Sequence, residues 1–95
     1  MIEAVRIDVR LGDIKAGAKY RKHFYGCSDP FQCPIANAAR RVFKQEVMVT
    51  GEAIYLYGKG DYSVYNLPSE AMAWIEAFGN GEKVAPFEFV VTPQQ

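Results

Sequence analysis

His23, Cys27 and Cys33 are the residues whose types and spacing could do chemistry together, in an H-x3-C-x5-C run within a chain of 95 residues. Zinc takes nitrogen and sulfur ligands that converge at tetrahedral angles, and Asp29 or a water could complete such a set. The spacing matches no common zinc motif, and no C-x2-C pair is present. The packing alternative is therefore the better one, with Cys33 a small inward residue at a helix start and Cys27 a loop thiol. Cys33 could instead be an activated thiolate, since a helix N-terminus lowers a thiol pKa and His23 is the single histidine able to serve as its base. That reading also needs an oxyanion site, of which the sequence gives no independent sign. Five intervening residues would also let Cys27 and Cys33 close a disulfide. The carboxylates are scattered without an acid/base pair, and Gly58-Lys59-Gly60 reads as a turn rather than a phosphate loop. No catalytic set and no cofactor are expected.

A second chemistry is binding. Lys19, Arg21, Lys22 and His23 alternate with Tyr20, Phe24 and Tyr25. Cations that track phosphates and aromatics that stack bases are how single-stranded nucleic acid is held. Arg40, Arg41 and Lys44 could extend the patch. Against this stands a solvated loop with its aromatics tucked inward. Net charge is zero, yet residues 15–44 hold seven cations and one anion, Asp29. The rest of the chain is correspondingly acidic, so the surface is dipolar if the basic segment gathers on one face. That face could meet an acidic protein or a nucleoprotein, or bind nucleic acid directly. Opposite charge in two parts of one chain also permits a homodimer, basic face to acidic face. Tyr55, Tyr57, Tyr62 and Tyr65 crowd one region, either as a protein interface or, more simply, as half-buried strand residues.

The elements that must position these residues follow from periodicity. Val5, Ile7, Val9 and Leu11 alternate with Arg6, Asp8, Arg10 and Gly12, which predicts a half-buried strand. Ile14 to Gly17 could form a single helical turn, and from Ala18 to Gln32 periodicity is weak. The spacing predicts a long basic-aromatic loop over 15–32. Asp29-Pro30 is a turn signal, and Pro34 suits the first helical position, which puts Cys33 at or near the N-cap. Ile35, Ala38, Ala39 and Val42 recur at the spacing of one buried helix face, with Asn37, Arg40, Arg41 and Lys44 opposite. Val47 and Val49 begin a strand, Thr50-Gly51-Glu52 turns it, and residues 53–57 return. Gly58-Lys59-Gly60-Asp61 is a further turn, and residues 62–66 form the third strand of a meander. Leu67-Pro68-Ser69-Glu70 opens a helix with Ala71, Trp74, Ile75 and Phe78 on its apolar stripe, stopped by Gly79-Asn80-Gly81. Trp74 is expected in the core. Phe87, Phe89 and Val91 mark a last strand.

Length allows one domain, residues 1–95, and an apolar fraction of 49% argues for a packed core rather than disorder. The fold expected is α+β: a mostly antiparallel sheet of four or five strands with two helices on one face, in the order β-α-β-β-β-α-β. No run is long enough to span a membrane, the N-terminal MIEAVRIDVR is too charged for a signal peptide, and two cysteines without such a signal point to a reducing cytoplasm.

Ile14 with Gly17, the Cys33-Pro34-Ile35-Ala36 helix start, the Leu67-Pro68 helix start and the closing Pro86-Phe87-Glu88-Phe89 together resemble a family of small bacteriophage and prophage proteins. Its members share a Cys-Pro-x-Ala helix start, a Leu-Pro helix and a terminal Pro-Phe-x-Phe strand. The resemblance runs over most of the chain, though loop 18–32 is longer and more basic than the family's pattern. It implies a phage origin and action in the cytoplasm of a bacterial host, and it brings no reaction. The expectation is a small non-enzymatic binding protein, such as an anti-CRISPR-like inhibitor of host defence. Its working residues would be Lys19, Tyr20, Arg21, Lys22, Arg40, Arg41 and Lys44, with direct nucleic-acid binding or a His23/Cys27/Cys33 site as alternatives.

Overall fold

The structure is a computed structural model that describes residues 4–21, 33–57 and 62–94, with only the backbone at Lys19, Tyr20, Arg21 and Tyr62. Strand β1 (Val5–Val9) leads into helix α1 (Leu11–Arg21), and helix α2 (Pro34–Phe43) follows. A meander of β2 (Glu46–Val49), β3 (Ala53–Tyr57) and β4 (Tyr62–Asn66) precedes helix α3 (Ser69–Gly79) and strand β5 (Phe87–Pro93). The sheet order is β1-β5-β4-β3-β2, and every neighbouring pair is antiparallel. The α+β class, the antiparallel sheet and the meander agree with the sequence pattern.

Three helices are present where two were expected. Helix α1 occupies residues 11–21, so the start of the expected 15–32 loop is helical, and residues 22–32 lie outside the described residues. Two glycines in eleven residues and an exposed Leu11 at its head leave α1 almost no apolar stripe. What starts it is a side chain. The Asp13 carboxylate accepts the Arg10 N–H at 2.9 Å, while the Arg10 carbonyl accepts the N–H groups of Asp13 and Ile14. The Asp13 side chain thus makes one arm of a capping box, the one that reaches back from the third position to the N-cap N–H.

Helix α2 begins as its sequence suggests, with Pro34 in the first turn. Cys33 is the N-cap, and its Sγ accepts the Ala36 N–H at 3.3 Å. Ile35, Ala36, Ala38 and Ala39 are fully buried, but Val42 is 38% exposed, against expectation. Phe43 takes the inward place at that end, its ring 5.0 Å from that of Tyr65. Helix α3 ends in a Schellman motif: Glu82 N–H donates to Ala77 O and Gly81 N–H to Phe78 O. The left-handed residue is Gly81 (φ 85°), while Asn80 stays at φ −82°.

The inner sheet face carries Ile7, Val9, Val47, Val49, Ile54, Leu56, Phe89 and Val91, which join α2 and α3 in one core. Among the described residues the ladder of β4 and β5 holds Tyr65↔Pro93 and Asn66↔Thr92, extended by the Gln94 N–H donating to the Val64 carbonyl at 2.8 Å, so the sheet is two ribbons joined at a short seam. It curls, and α2 packs against β1 and β2, the two outermost strands. Its alanines make so close an approach possible. Trp74 is half-buried rather than central. It stacks on Phe87 at 4.8 Å and donates its indole N–H to Ala85 O at 2.9 Å, fastening α3 to the approach of β5. The turn expected at 58–61 lies outside the described residues.

Candidate binding face

Helices α1 and α2 lie against one another, and a polar clamp fixes them. Arg41 reaches from the last turn of α2 and grips Asp13 of α1 with both terminal nitrogens, at 2.9 and 2.8 Å. The second nitrogen also donates to the carbonyl of Asp8 at the end of β1, at 2.8 Å. Asn37, one turn earlier on α2, donates its Nδ2 to the Asp13 carbonyl at 3.3 Å. Asp13 is thus the junction of β1, α1 and α2. Its side chain is 8% exposed, against 37% for Arg41.

Burial acts to raise the Asp13 pKa. The Arg41 hydrogen bonds, the Arg10 N–H and the charges of Arg41 and Arg10 together outweigh it and hold the carboxyl below its ordinary value. The hydrogen bonds to Asp13 raise Arg41 in turn, against the smaller effect of desolvation. Each is therefore spent on the other.

The clamp changes the standing of the basic residues. Arg41, expected on a binding face, is ion-paired with Asp13 at 2.8 Å. Arg40 is half-buried and donates to Asn37 Oδ1. Lys15 and Lys44 are exposed. Lys44 caps α2 in the left-handed conformation (φ 59°), its N–H on the Arg40 carbonyl at 2.8 Å. The backbones of Lys19, Tyr20 and Arg21 lie in the last turns of α1, and Lys22, His23 and Cys27 fall outside the described residues. An open groove of about 350 Å³ adjoins Lys15. It is lined by Ile14, Ala18 and Val84, with Glu82 and Lys83 among its charged residues.

Cys33 is 1% exposed and spends its sulfur on the cap. Among the described residues no cluster of three or more His, Cys, Asp or Glu could hold a metal ion. Among them, too, no helix is long and apolar enough to cross a membrane. Sequence reasoning missed Asp13 and Asn37. The signal for Asp13 was there, an acid three residues after Arg10, where its side chain can reach back to cap a helix start. No family model, curated protein or solved structure matches this chain.

Proposed function

We propose that the chain is a non-enzymatic binding protein of phage type that works in a bacterial cytoplasm. Its α1–α2 face would engage an acidic host protein or nucleoprotein, as an inhibitor of host defence would. The observation that supports this is the Asp13–Arg41 clamp. It sets α1 beside α2, so that Lys15 and Lys44 belong to one helical layer rather than to unrelated loops. Clustered like charge on one face of a neutral protein steers association with an oppositely charged partner. A buried, capping Cys33 speaks against a thiol nucleophile. Phage origin and cytoplasmic action rest on the resemblance of its short motifs to those of the phage family.

The test is a charge reversal that spares the clamp, Lys15→Glu with Lys44→Glu. Nuclease-treated wild type and variant are compared for capture of bacterial proteins, and for binding short single- and double-stranded DNA and RNA across a salt series. The reading expects wild type to hold a defined protein and the folded variant to lose it. Identical captures by both would overturn it. Tight binding to DNA or RNA that falls steeply with salt would replace it with direct nucleic-acid binding, the slope giving the number of phosphate contacts.

A further inference from the structure

We propose that the outer edge of β1, the one turned away from β5, pairs with β1 of a second copy, antiparallel about a two-fold axis at Ile7. Among the described residues β1 is an outermost strand, with β5 as its neighbour in the sheet. The Asp8 carbonyl is turned to the side away from β5, where Arg41 reaches it, and the main chain of Arg10 is turned to Asp13 and Ile14 of α1. Alternate residues of a strand point their main-chain groups the same way, so those of Arg6 also lie along the outer edge. By that alternation the Arg6 main chain and the Asp8 N–H take no part in the β1–β5 ladder. The Asp8 carbonyl keeps a second lone pair beside Arg41.

Charge selects the register. Two copies of β1 meeting about Ile7 place Arg6 opposite Asp8 of the other copy, and Asp8 opposite Arg6. Each such pair exchanges two main-chain hydrogen bonds and joins opposite charges on the uncovered sheet face. The neighbouring strand favours the same register. Asp8 lies directly across from Glu88 of β5, two carboxylates side by side, with Arg10 bonded to Asp8 at 3.1 Å. An incoming Arg6 adds a cation to this pair of anions. Arg6 itself lies across from Val90, an apolar side chain 48% exposed, which would shelter the arginine stem. The product is one continuous ten-stranded sheet with both helical layers on the same side.

The experiment is sedimentation of the full chain over a concentration series, with Arg6→Glu, with Asp8→Arg, and with the two variants mixed. Wild type is expected to dimerise. Each variant alone places like charges opposite one another in both pairs and should lose association by about tenfold or more. In the mixture the two reversed charges face each other across the axis, and the unaltered Asp8 of one variant faces the unaltered Arg6 of the other. Both pairs are again of opposite sign, so a heterodimer should form. Because Arg6 is exposed, its reversal should leave the fold intact, which circular dichroism checks. Slowed amide exchange at Arg6 and Asp8 on raising wild-type concentration would place the contact on this edge. A monomeric wild type, variants that dimerise as wild type does, or a mixture no tighter than its components would each overturn the proposal.

Discussion

Asp13 is the sole buried charged residue among the described residues, and it holds three elements at once. Removing it strands Arg41 over the Asp8 carbonyl and uncaps α1. Because the Arg41 side chain is 37% exposed, water can recover part of that loss. Asp13→Ala is therefore expected to cost about 2 kcal/mol in denaturant unfolding, rather than the full cost of a wholly buried pair. The sign of its pH dependence follows from the lowered carboxyl. The clamp's contribution is complete above the unfolded-state value near pH 4 and is lost as pH falls through the lower folded value. Wild-type stability should drop more steeply on acidification below about pH 4 than that of Asp13→Asn, read from urea midpoints at each pH. At this scale the sequence was half legible. It marked Arg41 as a cation on an exposed helix face, but a long-range partner 28 residues away leaves no periodic trace.

Among the elements, α2 was legible because Pro34 and a run of small residues state both its start and its buried side. Its end was not. Spacing alone favoured Val42 as inward, and the choice of Phe43 depends on Tyr65, which a distant strand supplies. Helix α1 was illegible because a local cap and its neighbour α2 hold it, rather than a stripe of its own. The end of α2 also carries a cost. Lys44 is the one non-glycine residue with positive φ among the described residues, a conformation that crowds its Cβ. Lys44→Gly is expected to raise thermal stability by about 1 kcal/mol, and Lys44→Ala to leave it nearly unchanged. Both remove the charge, so a partner that needs Lys44 would lose affinity for each variant. Stability and binding separate in this one pair of substitutions.

Across the whole molecule, α2 touches both outermost strands of one sheet, so the sheet must close towards it. Alternation in each strand predicted which side chains face inward, because a one-residue slip would turn every one of them outward. It could not predict the curl or the short seam between β4 and β5, a stagger that sequence parity leaves open. The close fit should be intolerant of volume. Ala39→Leu, at a fully buried position of α2, is expected to destabilise by about 2 kcal/mol or more, read from the unfolding midpoint. The clasp of β1 with β5 has a further consequence, for how the chain is made. Val5 finds its partner at Val91, so β1 leaves the ribosome long before its neighbour exists. Through most of synthesis Ile7 and Val9 belong to a strand with no ladder, and the β1 wall of α2 is unanchored. Closure must wait for β5, and a nascent chain of this protein passes through a long interval with its first strand available to any edge that meets it.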